Sequence, residues 1–212
     1  MTDVERVLAM LIHDVRTPLG VAHGYLRLVR GDKLPAAADR DRALASTQDA
    51  LARVSRLCQD AGTFLEDPPG PESGRVAAAQ LVDRVAGLLA ERGLDATEPP
   101  STAGTVAAGT SVDRTAEAIA TLLAARAGKT PGAFVTMESQ PGTLRFACWT
   151  GGNSGEDATI GDPGEPFDPW KTSHGLTVIA AHRTVIALGG RVWSGDNGLA
   201  LALAMPMETG KE

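Results

Sequence analysis

The sequence predicts an α+β protein, a helical hairpin followed by a mixed α/β domain, on three observations. Apolar residues in the first third recur at heptad spacing. A Pro/Gly-rich stretch, DPPGPESG at residues 67–74, then breaks the pattern. Beyond it, strand-like and helix-like segments follow one another to the end of the chain. The 212 residues suffice for two small domains with their own cores, placed at 1–67 and 75–212.

Each element follows from its spacing. Val4, Leu8, Leu11, Val15, Pro18, Ala22, Tyr25 and Val29 alternate intervals of four and three, the seam of a coiled coil or bundle. GDKLP interrupts it, and Leu44, Thr47, Leu51, Val54, Cys58, Ala61 and Leu65 resume it. Two such helices on a short loop form an antiparallel hairpin. The hairpin alone cannot cover both apolar stripes, which predicts a homodimer closing a four-helix bundle. VAAAQLVDRVAGLLAER, 76–92, reads as an amphipathic helix, and residues 105–132 read strand, turn, helix. GAFVTMESQ and GTLRFACWT are strands joined at a QPG turn; a helix within HGLTVIAAHRTVIALGGRVW and a last strand, GLALALAMP, complete the order.

Composition excludes several classes. Hydrophobic residues are 43%, charged residues 22% and aromatics 4%, so Ala, Leu and Val supply the packing. A net charge of −6 argues against nucleic acid as partner. No run approaches a membrane span, MTDVERV is no signal peptide, and Cys58 and Cys148 have no metal spacing. A reduced, cytoplasmic protein without a metal site is expected.

Residues 11–20, LIHDVRTPLG, carry the chemistry. His13 lies about 200° around the helix from both Leu11 and Val15, so it points outward. Ala9, Arg16, Thr17, Gly20 and Gly24 share its face, and most are small, leaving room for another protein to approach. A neutral imidazole is a nucleophile near neutral pH, and Asp14 can hold one ring nitrogen so that the other attacks. Arg16 offers a cation one turn from His13, and Thr17, one turn from Asp14, can position a water. Pro18 disturbs the helix one turn on. A plain surface histidine is the competing reading; Arg16 reads equally well as a solvated arginine, and Gly20 and Gly24 as loosening beside Pro18.

HDVRTPL resembles the H-box of the dimerisation and phosphotransfer domain of sensor histidine kinases. The resemblance implies that His13 is the phosphoacceptor, Asp14 its acid/base neighbour and Thr17 a phosphatase-type residue. The later order, with FDPW as a phenylalanine box and HGLTVIAAHRTVIALGGRVW as a second glycine box, resembles the family's ATP-binding domain, an α/β sandwich. The residues that hold nucleotide in that family are largely missing. Anchored on KTP, its two asparagine positions fall at Thr121 and Ala125, neither of which replaces an amide carbonyl on a hard cation. The adenine-reading aspartate falls at Trp149 or Thr150. The second glycine box keeps Gly175 but has Thr177 at its next required position, and the lid EDATIGDPGEP is acidic.

A chain that keeps the phosphoacceptor and lacks a nucleotide site resembles the dimeric histidine phosphotransferases of bacterial phosphorelays. The expected partners are response-regulator receiver domains, with a hybrid histidine kinase as one candidate donor. The receiver would supply Mg2+, and no cofactor or ATP is expected in this chain. With only twelve residues before His13, no sensor is expected upstream. The alternatives are a divergent but active kinase core, a non-catalytic dimeric scaffold, and a receiver phosphatase in which Asp14 and Thr17 matter most.

Overall fold

A computed structural model describes residues 2–34, 36–66, 70, 72, 74–98, 100–109, 111–128, 130–150, 160–161, 163–171, 175–195 and 198–208. The chain divides into two compact units, Met1–Glu66 with Gly175–Thr177, and Asp67–His174 with Val178–Glu212. The fold is mixed α+β, as the sequence predicts.

The first unit is a helical hairpin of α1 (Asp3–Arg30) and α2 (Ala37–Leu65). A capping box starts α1: the Thr2 side chain accepts from the Glu5 N–H, and the Glu5 carboxylate accepts from the Thr2 N–H at 2.7 Å. The pattern T-x-x-E is visible in the sequence and marks the helix start without reference to the apolar stripe. Pro18 lies inside α1, which nevertheless runs unbroken to Arg30. At the turn Asp32 adopts φ 52°, and Arg40 reaches back to bond both the Asp32 carboxylate and the Leu34 carbonyl at 2.7 Å.

The seam inside the hairpin keeps Pro18, Ala22, Thr47 and Ala61 of the set the sequence suggested and leaves its large apolar positions at the flank. On α1 it buries Val7, Pro18 and Ala22; on α2 it buries Ala43, Thr47, Ala50, Leu57, Ala61 and Phe64. Val4 and Leu8, expected in that seam, are 54% and 55% exposed, and Leu44, Leu51 and Leu65 are exposed as well. The reason is volume. The small seam residues Ala43, Ala50 and Ala61 bring the helices together, while the bulkier leucines one position later form a second stripe. That stripe is continued on α1 by Ile12, Leu19 and Leu26. Both stripes lie about a quarter turn past the seam in the same sense, which antiparallel helices bring to one side.

The second unit is a sheet with helices on one face. Its strands are β1 (Arg75–Ala77), β2 (Asp95–Ala96), β3 (Thr105–Ala107), β4 (Phe134–Gln140), β5 (Thr143–Trp149), β6 (Glu165–Pro166), β7 (Arg191–Ser194) and β8 (Leu199–Glu208). Their order is β1-β3-β8-β5-β4-β2, with β7 pairing β8 and β6 pairing β7. The helices are α3 (Ala78–Glu91), α4 (Val112–Ala127) and α5 (Leu176–Ala187). The segment read as one helix over 76–92 begins instead with β1, which pairs antiparallel with β3, and the helix starts at Ala78. A three-residue strand is too short to show a period of two, so the helical pattern absorbed it. The strands β2 and β6, each of two residues, leave no periodic signal either.

Alternation sorts the sheet residues into two layers. Val135, Leu144, Phe146, Cys148, Leu201, Leu203 and Met205 meet the helices in one buried core. Leu81, Val85, Ile119, Leu122 and Leu123, all fully buried, supply much of the helix side. The other sheet face carries a smaller cluster of Ala147, Trp149, Ile160, Trp193 and Ala202. Trp149 and Trp193 are therefore packing residues of this outer cluster.

His182 on α5 packs its ring against Phe167 at 5.8 Å, and burial lowers its pKa below the usual 6.5, with Asp168 opposing the shift. The unfolded chain then binds a proton near pH 6.5 that the folded chain resists, so stability rises with pH across the window between the two values. Stability of the second unit is expected to fall as pH drops below about 6.5, and His182→Gln to flatten that dependence. Urea midpoints measured from about pH 7.5 down to about pH 5.5 on both proteins check this; parallel curves refute it.

Candidate functional site

The helix rotation fixed by the seam turns His13 to solvent, with its side chain 84% exposed. Asp14, next in sequence and about 100° around the helix, is nearer the hairpin and 27% exposed. His13 Nδ1 and Asp14 Oδ1 stand 3.0 Å apart. An ionised carboxylate only accepts, so Nδ1 carries the proton and donates it. That leaves Nε2 with its lone pair outward, the arrangement of an oriented nucleophile.

Ala9, Arg16, Thr17, Gly20 and Gly24 are all exposed with His13 on α1, as the wheel predicts. A Cβ added at Gly20 or Gly24 would meet no atom within 4 Å, so the backbone there is open to an approaching surface. Arg16 makes no ion pair or side-chain hydrogen bond among the described residues. Within α1, Pro18 lacks the N–H that would bond the Asp14 carbonyl, which loosens the turn carrying the site.

The positions matched to nucleotide binding lie on other elements. Thr121 and Ala125 are half-buried on α4 and offer no carbonyl side chain. Trp149 is 7% exposed, stacked with Phe134 at 6.4 Å, and its indole N–H donates to Thr136 Oγ1 at 2.9 Å. Thr150 is held by its N–H on the Gly198 carbonyl at 2.7 Å. Here the register between β5 and β8 shifts, with Cys148 opposite Leu201 and Trp149 opposite Leu199. Ala200 is the extra residue, and Arg126 of α4 donates to its carbonyl at 3.2 Å. A guanidinium thus closes the sheet end beside Ala125. Gly175 has φ +75°, and Thr177 is exposed in the first turn of α5. GGNSG (151–155), His174, most of the 67–74 linker and Glu156–Thr159 of the acidic lid lie outside the described residues. Among the described residues no group of three or more His, Cys, Asp or Glu is placed to hold a metal, and no helix is long and apolar enough to cross a membrane.

Three solved structures resemble this arrangement over nearly the whole chain. Histidine kinase AdeS of Acinetobacter baumannii matches with TM-score 0.55 at 18% identity, covering 93% of this chain and 98% of that one. Histidine kinase ThkA, in complex with response regulator protein TrrA, matches at 0.56 and 15%, covering 96% and 61%. Full-length ShkA, in complex with AMPPNP, matches at 0.51 and 20%, covering 100% of this chain and 47% of that one. The fold is histidine-kinase-like. No family model and no curated protein matches the sequence. Within the histidine-kinase-like fold, the hairpin of this chain keeps a histidine and its carboxylate, whereas the sheet end carries Trp149 and Arg126.

The contact between His13 and Asp14 gives a direct expectation. Asp14→Asn removes the anion that holds the Nδ1 proton, and phosphorylation of His13 by phosphoramidate is expected to slow by about 100-fold. Quantification of phosphohistidine over time checks it; an unchanged rate would make Asp14 a bystander.

Proposed function

We propose that the protein is a histidine phosphotransferase of a bacterial phosphorelay, passing a phosphoryl group between receiver-domain aspartates through His13. The observation that carries the reading is the exposed imidazole, with Nδ1 tied to Asp14 and Nε2 free, on a helix face of small residues. Nε2 attacks the phosphorus of a donor aspartyl phosphate, forming the N–P bond as the P–O bond to the carboxylate breaks. The Nδ1 proton stays in place, and the Asp14 carboxylate stabilises the cationic phosphoimidazole. Attack by a second aspartate carboxylate reverses the step and releases neutral His13. Catalysis is positioning and charge neutralisation, with Arg16 meeting a phosphoryl oxygen and Mg2+ supplied by the receiver. Thr17 is assigned to water positioning in hydrolysis.

Trp149 buried at one nucleotide position, Ala125 at another and Arg126 spanning to Ala200 support the loss of ATP binding. The exposed stripe of Leu8, Ile12, Leu19 and Leu26 with Leu44, Leu51 and Leu65 supports a homodimer that buries it in a four-helix bundle.

The test is labelling of the purified protein beside His13→Gln. Phosphoramidate is expected to label the wild-type protein only, and γ-labelled ATP with Mg2+ neither. ATP labelling that needs His13 would make the chain a divergent kinase and overturn the reading. Light scattering is expected to give twice the chain mass, and Leu8→Glu with Leu51→Glu the chain mass; a wild-type monomer would remove the bundle.

A further inference from the structure

We infer that the C-terminal half of α1 and the turn after it form a cationic docking strip for an acidic face of the phosphoryl-carrying partner. The inference rests on the phosphotransferase reading and names the surface chemistry that this reading leaves open.

The first observation is charge segregation. The whole chain carries −6, yet residues 15–31 contain no carboxylate, only Arg16, Arg27 and Arg30 with His23. Lys33 follows, and the intervening Asp32 is already bonded to Arg40 at 2.7 Å.

The second observation is what these cations do not touch. Elsewhere Arg42 pairs with Asp39, Arg75 with Glu208, Arg84 with Asp113 and Arg92 with Glu117, while Arg126 and Arg145 bond backbone carbonyls. Among the described residues, Arg16, Arg27, Arg30 and Lys33 have no ion pair and no side-chain hydrogen bond. The other arginines in that state are Arg53, Arg56 and Arg191, on α2 and β7. The cations of α1 form the concentration, and no carboxylate among the described residues pairs with them.

The third observation is room. Gly24, Arg27, Leu28, Arg30, Gly31 and Lys33 line an open cleft of about 650 Å³. Leu28 and the nearby Val21 are exposed apolar residues at 37% and 43%. Arginine beside apolar side chains, with the backbone open at Gly24, is the composition of a protein interface.

Distance ties the strip to His13. Arg27 lies fourteen residues on, about 21 Å along the helix and about 40° from His13 around it. A globular domain of about 120 residues has a radius of gyration near 13–14 Å, hence a width of roughly 35 Å. A partner centred over His13 would reach only about 17 Å along α1, so the strip engages a partner whose aspartate lies off the centre of its face and whose body extends toward the turn; so placed, it overlies Arg27 and approaches Arg30. An acidic face there is attracted, a basic one repelled, and the attraction weakens with salt.

The experiment uses the full chain. Protein loaded at His13 by phosphoramidate is mixed with purified receiver domains chosen for acidic or basic faces beside their phosphoacceptor aspartate. Transfer to acidic-faced receivers is expected to be at least about ten-fold faster at low salt, and to lose that lead at about 0.5 M salt. Arg27→Glu with Arg30→Glu is expected to remove the lead while leaving His13 loading unchanged. Both residues also face the negative end of α1, so Lys33→Glu, outside the helix, is the second variant and is expected to act in the same direction. A fluorescein-labelled deca-glutamate peptide reads the strip without any phosphoryl chemistry, and its binding is expected to drop in both variants. Variants that bind the peptide and transfer like the wild type would overturn the strip. Normal peptide binding with an unloadable His13 would keep the strip and sink the phosphotransferase reading.

Discussion

The first unit depends on how closely α1 and α2 approach. Ala43, Ala50 and Ala61 present little more than a methyl group each, and Thr47, Leu57 and Phe64 of α2 are buried along the same seam, as are Val7, Pro18 and Ala22 of α1. That contact fixes the rotation of α1 about its own axis. Once the rotation is set, the remaining directions are assigned: leucines to one flank, His13 with its small neighbours to the side away from α2. One residue of slip would carry His13 about 100° around the helix. The position of the nucleophile is thus a result of packing between side chains that have no chemistry of their own.

The second unit obeys an analogous rule with a different period. Successive residues of β5 alternate between the helix-facing core and the outer cluster, so Cys148 and Trp149 belong to different layers. The shift of register beside them leaves the Ala200 carbonyl outside the ladder, and Arg126 satisfies it. On the outer face, Glu138 and Arg145, opposite each other across β4 and β5, hold both backbone groups of Ile160 at 3.1 Å. Ile160 is 2% exposed as a result. Polar side chains here do the work of strand pairing at places where no strand continues.

The histidine, its carboxylate and their outward direction were legible in the sequence, because a helix of known period with a long apolar repeat leaves little freedom. The exact seam was not. Leu44 and Ala43, or Leu8 and Val7, differ by one position, and a hydrophobic count favours the larger side chain although close packing favours the smaller one. The cations of α1 were each readable, yet their isolation became visible only when the arginines elsewhere proved to be paired. Arg126 stood inside the region compared with the nucleotide motifs and gave no signal, since its partner is a backbone carbonyl far away in sequence.

The two cysteines have opposite circumstances, and that has a consequence for redox behaviour. Cys148 lies in the core with its thiol pushed up to about 11 by burial, despite the nearby Arg126. It stays protonated at neutral pH and presents neither a nucleophile to peroxide nor a ligand to soft metals. Cys58 is exposed on α2 at the heptad step between Leu51 and Leu65. Thiol chemistry in this protein is therefore confined to the helical hairpin, and a thiol-directed oxidant would register at Cys58 while Cys148 in the core of the sheet stayed untouched.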